Sequence, residues 1–408
     1  MASIWYVSKY ISLPSSGKWG TRGFMLAREW VRRGHYCLML ASDANHLTDA
    51  PEIAGSHLVE RVDGVDVCWI KTMKFAGAKS WGRILSWIDF EWGLWRLPKG
   101  QFPAPDVVIV SSLSLLSILN GILLQQRYGC RLVFEIRDIW PLTIVEEGGY
   151  SARNPFVMAL GLVERLGYRK ADAIVGTMPN LVEHVDEQVG RHHGPVHTIP
   201  MGLDIEAVEV AEPLSAEWRA AHVPPGKFIV CHAGTIGITN ALDTLFACAR
   251  AMQQHEDVHF LIVGEGGLRE RYAAECADLA NVTFTGPVPK TMVPSVLAEA
   301  DLLYFAVHPS KVWRYGMSLN KAVDYMLSGK PIVGSYTGFP TMVEESGGGS
   351  EVPAADPAAL EAEILRYRAM PAAERAAIGA KGRAWLIANR PYPRLADDYL
   401  AIVLPAAR

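Results

Sequence analysis

The chain has 408 residues, of which 50% are hydrophobic and 20% are charged, so it is long and apolar enough for two ordinary globular domains. This composition excludes an intrinsically disordered protein, because disordered chains are poor in apolar residues. The formal net charge is −4, from 39 Lys and Arg against 43 Asp and Glu, which gives no overall basic field that would attract nucleic acid. We therefore expect no nucleic-acid partner.

The N-terminal residues Met1 to Val7 lack the basic and long apolar regions of a signal peptide, and they predict a β-strand. The six cysteines are widely spaced and form no CxxC pair, which indicates buried thiols in a reducing cytoplasm rather than a zinc or redox site. The twelve histidines show no metal-binding spacing. We therefore predict a cytoplasmic protein without a metal site.

Short apolar strands alternate with helical patterns, which predicts parallel sheets covered by helices on both faces. The first series of predicted strands comprises Ile4–Val7, Tyr36–Leu40, Val107–Val110, Arg131–Ile136, Ala173–Val175 and Val196–Ile199. The second series comprises Phe228–His232, His259–Val263, Val282–Phe284, Leu302–Phe305 and Pro331–Gly334. Between them, Val208–Gly226 has no sustained strand pattern and contains Glu212-Pro213 and Pro224-Pro225, which indicates a linker near residue 210.

One segment, Val107–Gln126, has 20 residues without a charge, which is long enough to span a bilayer. Serine, asparagine and glycine residues interrupt it, however, and its first residues follow the pattern of a buried parallel strand that leads through a loop into a helix. We therefore expect a strand and a helix here rather than a transmembrane segment.

Positive charge is concentrated in residues 1–170, which hold 20 Lys and Arg against 15 Asp and Glu. Within this region, Lys71–Lys99 alternates basic and aromatic residues, namely Lys71, Lys74, Lys79, Arg83, Arg96 and Lys99 with Phe75, Trp81, Trp87, Phe90, Trp92 and Trp95. Basic side chains with tryptophans are typical of a segment at a bilayer interface. The alternative is an aromatic core helix with a solvated cationic edge, because Asp89 and Glu91 dilute the positive charge.

Two glycine-containing loops follow predicted strands and precede helices. The first is Ser15–Gly23, with Gly17, Lys18 and Gly20 as candidate phosphate contacts, and the second is His232–Gly237, with Gly234, Thr235 and Gly237. Backbone N–H groups in such loops can approach a phosphate, helped by the helix dipole. The first loop matches neither GxGxxG nor the Walker A pattern, which disfavours a dinucleotide dehydrogenase or an NTPase, and a flexible glycine turn is its alternative interpretation.

Other strand ends also contain candidate site residues. Gly264 and Val288 lie in the strand-to-loop junctions Leu261–Gly267 and Phe284–Pro289, which we expect to border a nucleotide base. Glu135–Pro141 lies at the carboxyl end of a buried strand, where open α/β sheets place their active sites.

We interpret Glu135 or Asp138 as a contact for an acceptor hydroxyl, with Arg137 ordering these carboxylates or binding an anionic substrate group. Alternatively, the three residues form an ion cluster that only holds the loop.

Lys311–Val333 contains Tyr-Gly-x-Ser-x-Asn-Lys-x-x-Asp-Tyr-Met from Tyr315 to Met326. Together with Arg137-Asp-x-Trp-Pro, this segment resembles the nucleotide-sugar signature of the retaining family 4 (group 1) glycosyltransferases, in particular the fucosamine-transferase-like branch of surface-polysaccharide biosynthesis. The resemblance extends over nearly the whole chain and implies an α/β GT-B fold, in which two Rossmann-like parallel-sheet domains face a central cleft. It implies an acceptor-binding domain at 1–207, a nucleotide-sugar-binding domain at 208–385, and a C-terminal helix at 386–408 that crosses back to the first domain.

The resemblance also assigns roles to residues of the second domain. Asp324 takes the position of the family's second signature glutamate, which binds the ribose hydroxyls of the nucleotide. The first signature glutamate falls on Gly316, which has no side chain to contact the donor sugar. The usual Arg and Lys of the loop after Gly234 are not apparent in Thr235–Leu242.

A leaving diphosphate in a metal-free site needs positive charge, so we expect Lys321 to supply it, with Arg314 or Lys311 as further cations. The alternative for Lys321 is a solvated lysine at a helix start. Ser318 and Asn320 are expected to donate hydrogen bonds to phosphate or sugar oxygens.

These observations lead to the hypothesis of a retaining, metal-independent glycosyltransferase without a cofactor, since no Asp-x-Asp motif is present to chelate a metal. It would move an N-acetylated hexosamine or a deoxyhexosamine from a UDP-sugar to a polyprenyl-diphosphate-linked saccharide, in O-antigen or other surface-polysaccharide synthesis. The expected partners are this donor, this acceptor and the cytoplasmic face of the inner membrane, which the protein would contact peripherally. The alternatives are a UDP-sugar 2-epimerase on the same architecture and a non-catalytic nucleotide-sugar-binding protein.

Overall fold

A computed structural model describes residues 1–14, 20–45, 50–74, 81–206 and 211–404. The chain divides into two compact units, of which unit 1 comprises Met1–Gly202 with Tyr392–Arg408 and unit 2 comprises Leu203–Pro391. The divisions therefore fall after Gly202 and after Pro391, a few residues from the predicted domain ends at 207 and 385. Each unit is built on its own mainly parallel sheet.

Unit 1 contains an eight-stranded sheet in the order β3-β4-β2-β1-β5-β6-β7-β8. Its strands are β1 (Ser3–Val7), β2 (Tyr36–Ser42), β3 (His57–Val62), β4 (Val65–Ile70), β5 (Val107–Ser111), β6 (Arg131–Ile136), β7 (Ala173–Gly176) and β8 (Val196–Thr198). All neighbouring strands pair in parallel except β3 and β4, which form an antiparallel hairpin at one edge. The six predicted strands of this half are confirmed, and the hairpin is additional.

The helices before residue 203 are α1 (Arg22–Arg32), α2 (Trp81–Arg96), α3 (Ser117–Tyr128), α4 (Leu142–Glu146), α5 (Pro155–Lys170) and α6 (Leu181–Val189). Crossovers between parallel strands are right-handed, so the direction of each step along the sheet decides which face its helix covers. The connections containing α2, α3, α5 and α6 all step in the direction β4 to β8, and the helices contact one another in that order. They form one layer on one face, while α1 steps the other way and covers the opposite face.

Unit 2 contains a six-stranded parallel sheet in the order β11-β10-β9-β12-β13-β14. Its strands are β9 (Phe228–Ala233), β10 (Val258–Val263), β11 (Val282–Gly286), β12 (Leu302–Ala306), β13 (Ile332–Ser335) and β14 (Gly349–Val352). Its helices are α7 (Ala216–His222), α8 (Asp243–Ala251), α9 (Arg269–Glu275), α10 (Val293–Ala298), α11 (Asn320–Leu327), α12 (Met342–Ser346), α13 (Pro357–Ala369) and α14 (Ala372–Asn389). The five predicted strands are confirmed, and β14 is additional.

The last helix, α15 (Tyr392–Val403), returns to unit 1 and packs on α1. The ring centroids of Trp30 and Tyr399 lie 5.2 Å apart, and Trp30 Nε1 donates a hydrogen bond to the Ala396 carbonyl oxygen at 3.3 Å. Arg33 Nε lies 2.5 Å from Asp397 Oδ1. Helix α15 thereby completes the hydrophobic core on the α1 side of the sheet.

The apolar segment at 107–126 forms β5 and most of α3, as its pattern predicted. Within the described ranges, no helix combines the length and the apolar character that crossing a membrane requires. All six cysteines are buried and unpaired, which confirms the expectation of buried thiols.

Candidate functional site

Lys321 lies in the first turn of α11, beside the loop that follows β9. A Cβ atom added to Gly234 in that loop would lie 3.6 Å from Lys321 Nζ, and Nζ donates a hydrogen bond to Asn240 Oδ1. In the part of the chain that the structure describes, no carboxylate forms an ion pair with Lys321, and burial lowers its pKa to about 8. Among the described residues, the ammonium group is therefore a desolvated positive charge whose hydrogen-bond partner is a neutral amide.

His232, the fifth residue of β9, lies beneath the same loop and is fully buried. Its Nδ1 is 3.2 Å from the Tyr304 carbonyl oxygen, while Nε2 has no hydrogen-bond partner among the described residues. Burial, together with the positive charge of Lys321, lowers the pKa of His232 to about 3, so the ring is neutral at physiological pH. The Nδ1 proton is donated to Tyr304, and Nε2 is buried.

The loop after β9 is fixed by side-chain and backbone contacts. The buried hydroxyl of Tyr325, on α11, accepts a hydrogen bond from the Ala233 N–H at 2.8 Å and donates one to the Ala233 carbonyl oxygen at 3.0 Å. Gly264, at the end of β10, has φ of 140°, and a Cβ there would lie 1.9 Å from the Gly234 carbonyl oxygen. Only glycine allows these two loops to approach so closely.

This packing also limits which amides of the loop could bind a phosphate. The Gly234 N–H donates to the Val263 carbonyl oxygen, and the Ile236 N–H donates to that of Glu265, both at 2.9 Å. Among the described residues, the amides of Thr235 and Gly237 have no such partner. Of the predicted backbone donors in this loop, Thr235 and Gly237 therefore stay available.

Asp324, the predicted ribose ligand, lies on α11 one turn after Lys321. Its Oδ2 is 2.5 Å from Lys290 Nζ, and about a third of each side chain is exposed, 34% and 39% respectively. Lys290 directly follows the segment that contains Val288, so the predicted base-bordering loop lies next to the predicted ribose-binding carboxylate. The sequence analysis did not identify Lys290, although its position immediately after Phe284–Pro289 was a signal.

The remaining predicted donor contacts lie between β12 and α11. Lys311 and Arg314 are exposed in a short 3-10 turn, and the Arg314 guanidinium lies 5.2 Å from the Tyr315 ring centroid. Gly316 follows with φ of 98°, a left-handed conformation that disfavours a side chain. Ser318 is half-buried, and Asn320 is exposed as the first residue of α11.

In unit 1, Glu135 forms a fully buried cluster with Arg22. The Arg22 Nη1 lies 2.5 Å from Glu135 Oε1, and the hydroxyls of Tyr6 and Tyr399 donate hydrogen bonds to the two carboxylate oxygens. Arg22 also donates to the carbonyl oxygens of Pro200 and Ile199. Although burial alone would raise the pKa of Glu135, the arginines beside it bring this pKa below its usual value.

Arg137 and Asp138 differ from Glu135 in their exposure. Asp138 is exposed, and Arg137 is half-buried with its Nε lacking a hydrogen-bond partner among the described residues. The backbone of Arg137 is held by Ser112 Oγ, which accepts from its N–H at 2.9 Å, and by Thr177 Oγ1, which donates to its carbonyl oxygen at 3.4 Å. The arginine backbone is thus fixed, and its Nε is buried.

Both units match known protein families. Residues 20–202 match the family described as "Glycosyl transferase 4-like domain", and residues 227–369 match "Glycosyl transferases group 1". Sucrose-phosphate synthase from Thermosynechococcus elongatus has the same fold, with a TM-score of 0.71 at 18% identity over 98% of both chains. The chain has the GT-B fold, and each of its two units matches a glycosyltransferase domain family. Anabaena HepE, solved in complex with UDP and glucose, also shares this fold, with a TM-score of 0.65 at 15% identity over 100% of both chains.

A relative by sequence is the D-inositol 3-phosphate glycosyltransferase of Nocardiopsis dassonvillei, which is 26% identical over 251 residues. The match spans 59% of this chain and 58% of the relative, so less than two thirds of the relative's length is covered. None of these three relatives is named for transfer to a polyprenyl-linked acceptor. The fucosamine-transferase branch and the acceptor of this glycosyltransferase are therefore matters of proposal.

The structure brings together Lys321, Gly234 and Asn240, and it separately brings together Asp324 and Lys290. It corrects the interpretation of Glu135, because both carboxylate oxygens accept hydrogen bonds in a cluster without solvent exposure and an acceptor hydroxyl has no access to them. The partner of Glu135 is Arg22 rather than the adjacent Arg137. Two candidate contacts of the first glycine loop, Gly17 and Lys18, lie outside the described residues, and Gly20 is half-buried against Phe24 and Met25.

Proposed function

We propose that this glycosyltransferase moves an N-acetylated hexosamine or a deoxyhexosamine, with retention at the anomeric carbon, from a UDP-sugar to a polyprenyl-diphosphate-linked saccharide. The reaction would contribute to surface-polysaccharide synthesis at the cytoplasmic face of the membrane. The observation that supports the donor most directly is Lys321, a desolvated cation beside the β9 loop without a counter-anion in the described chain. A nucleoside diphosphate supplies that negative charge.

In this proposal, unit 2 binds the UDP part of the donor. Lys321 and the amides of Thr235 and Gly237 bind the diphosphate. Asp324 accepts hydrogen bonds from the ribose hydroxyls, and Lys290 either moves away from Asp324 or remains bound to it. The complex of HepE with UDP and glucose supports a UDP-sugar as the donor class.

The proposed chemistry is a front-face substitution. The bond between the anomeric carbon and the β-phosphate oxygen breaks, and the electron pair leaves with the UDP oxygen, where Lys321 stabilises the added charge. The acceptor hydroxyl forms the new bond on the same face and transfers its proton to the departing phosphate oxygen. A double displacement would require a carboxylate nucleophile, and Gly316 removes one family carboxylate from the donor region.

For unit 1, we propose that Arg137 binds an anionic group of the acceptor, such as its diphosphate. The half-buried position of the side chain and the backbone held by Ser112 support this role, because charge-assisted hydrogen bonds need a positioned donor. Asp138 is exposed at the adjacent position and is the remaining carboxylate candidate for the acceptor hydroxyl. Glu135 would act only by holding Arg22 and the strand end.

We further propose that no metal ion takes part. Within the described ranges, no group of three His, Cys, Asp or Glu side chains is arranged to hold a metal ion. The test is a calorimetric titration of the protein with UDP, with and without EDTA. An affinity that is unchanged by EDTA would support the proposal, and loss of binding that added Mg²⁺ restores would contradict it.

The full function is tested by incubating the protein with UDP-N-acetylhexosamines and polyprenyl-diphosphate-linked saccharides. A lipid-linked product with retained anomeric configuration supports the proposal. Binding of UDP without any transfer would instead support a non-catalytic nucleotide-sugar-binding protein, the alternative that Gly316 raises. Conversion of the UDP-sugar to its C2 epimer without an acceptor would support the epimerase.

A further inference from the structure

Helix α2 has two different apolar faces. One face, with Trp87, Phe90 and Leu94, is buried against the sheet. The opposite face has four large apolar residues at a spacing of three or four, namely Leu85 at 51% exposure, Ile88 at 54%, Trp92 at 54% and Trp95 at 56%. The buried face fits the core-helix alternative from the sequence, and Phe75 and Lys79 of that segment lie outside the described residues.

The exposed apolar stripe continues on the next helices of the same layer. On α3, which contacts α2, Leu119 and Leu123 are 40% and 49% exposed. On α5, which contacts α3, Met158 and Leu162 are 58% and 63% exposed, and Leu166 is 37% exposed. We call the exposed stripes of α2, α3 and α5 the outer apolar face. Single exposed apolar residues are ordinary, but a face shared by three adjacent helices indicates an interaction surface.

Two of the three acidic groups on these helices are turned away from this face. The three helices contain only three acidic residues, Asp89, Glu91 and Glu164. Asp89 accepts a hydrogen bond from the Met73 N–H. Glu91 accepts from Ser114, Ser117 and Asn120, and Glu164 is buried with Tyr168 and His184 as its partners. Of these three carboxylates, Asp89 lies one turn from Leu85 and Trp92 on α2 and is therefore beside the face.

Basic groups instead border the face at one end. Each of the helices α2, α3 and α5 connects two parallel strands of one sheet, so the three helices run in the same direction. Their C-terminal ends therefore lie at the same end of the helix layer. Each helix ends in exposed basic residues there, namely Arg96 on α2, Arg127 on α3, and Arg169 and Lys170 on α5. The Arg96 guanidinium lies 5.7 Å from the ring centroid of Trp92, so it is next to the exposed tryptophans.

We propose that the outer apolar face binds the surface of an anionic lipid bilayer. Tryptophan rings suit the headgroup region, aliphatic side chains enter the acyl boundary, and the bordering arginines bind lipid phosphates. The neighbouring α6 has three acidic residues, Glu183, Asp186 and Glu187, and marks the end of the face. This inference rests on the proposed function, because a lipid-linked acceptor is available only at a membrane.

The test is flotation of the full chain with vesicles of phosphatidylcholine and phosphatidylglycerol, and with vesicles of phosphatidylcholine alone. We expect binding to the anionic vesicles that decreases with salt. Trp95→Glu and Leu162→Glu should each lower the partition coefficient by roughly ten-fold or more, because a buried charge is costly in the acyl region. The matched control is Leu58→Glu, which places the same charge at an exposed leucine of β3 and should leave binding unchanged.

Calorimetry with UDP separates this proposal from the proposed function, since the variants should retain the wild-type UDP affinity. Normal UDP binding without vesicle binding by the wild type would overturn the membrane proposal. So would a dimer in light scattering that Leu162→Glu converts to a monomer, because the face would then bind a second copy. Vesicle binding that persists when no sugar is transferred would refute the proposed function and leave the membrane surface intact.

Discussion

Replacing Lys321 by methionine keeps the aliphatic chain and removes the desolvated positive charge beside Gly234. An ammonium and a phosphate oxygen about 4 Å apart attract by about 4 kcal/mol at an effective dielectric constant of about 20. After competition with water, a hydrogen bond between such charged groups contributes about 1.5–3 kcal/mol. We therefore expect UDP to bind roughly 10- to 150-fold more weakly to K321M.

The lowered pKa of Lys321 adds a pH dependence with a definite sign. In the free protein the lysine loses its proton as the pH rises through about 8. A bound diphosphate favours the protonated form, so UDP binding should take up a proton above that pH, and the wild-type affinity should fall by up to about ten-fold per pH unit. A phosphate with a second pKa of about 6 is already ionised in this range, and the neutral His232 does not titrate there.

The assay is titration calorimetry with UDP at several pH values between about 7.5 and 9.5, repeated in buffers of different ionisation enthalpy to count protons. Lys330→Met is the matched control, because Lys330 is a half-buried lysine just beyond the other end of α11. K330M should behave like the wild type, whereas K321M should bind weakly without a pH dependence. Wild-type affinity in K321M, or a wild-type affinity that is constant over this range, would refute the reasoning.

Three further substitutions test other contacts. Asp324→Asn should lower UDP affinity by about 10-fold or more, since a hydrogen bond to a charged group contributes about 1.5–3 kcal/mol. The variant should also lose any preference for UDP over 2′-deoxy-UDP in competition calorimetry. An unchanged preference would exclude the ribose contact. Tyr325→Phe leaves the Ala233 N–H and carbonyl without this partner, so urea unfolding should show a loss of about 1–3 kcal/mol, and equal stability would contradict the fixed loop. Glu135→Gln leaves the Arg22 charge buried without compensation, which should lower the free energy of unfolding by about 3–5 kcal/mol. The melting temperature should then fall by roughly 6–20 °C. A melting temperature like that of the wild type would show that the pair is not needed for stability.

The sheets were predictable because buried parallel strands are continuous apolar runs, such as β5 and β10. The β3–β4 hairpin was missed because β3 is an edge strand with several exposed residues, and its sequence lacks such a run. The turn Asp63-Gly64, in which both residues have positive φ, was the signal that could have identified it. The edge strand β14 is short and only partly buried, so its pattern was equally weak.

For the site, the expectations for Lys321 and Asp324 came from the family resemblance of one continuous segment, and their roles stay predictions. Contacts that join distant parts of the chain could not be predicted from spacing. Arg22 and Glu135 are 113 residues apart, and Tyr325 reaches a strand end 92 residues earlier. The sequence analysis therefore grouped Glu135 with the nearby Arg137, whereas in the fold Glu135 pairs with Arg22 of helix α1.

The position of α15 in unit 1 affects how the chain matures. Everything in unit 1 up to Gly202 emerges from the ribosome first, yet Tyr399 is synthesised only after the whole of unit 2. At about 5–20 residues per second, this delay is roughly 10–40 s. During that time Glu135 lacks its hydrogen bond from Tyr399, and the Trp30 ring lacks its packing contact with the Tyr399 ring. The N-terminal half must therefore wait for the end of translation to reach its final packing, and a chain that stops early leaves an apolar surface open to chaperones and proteases.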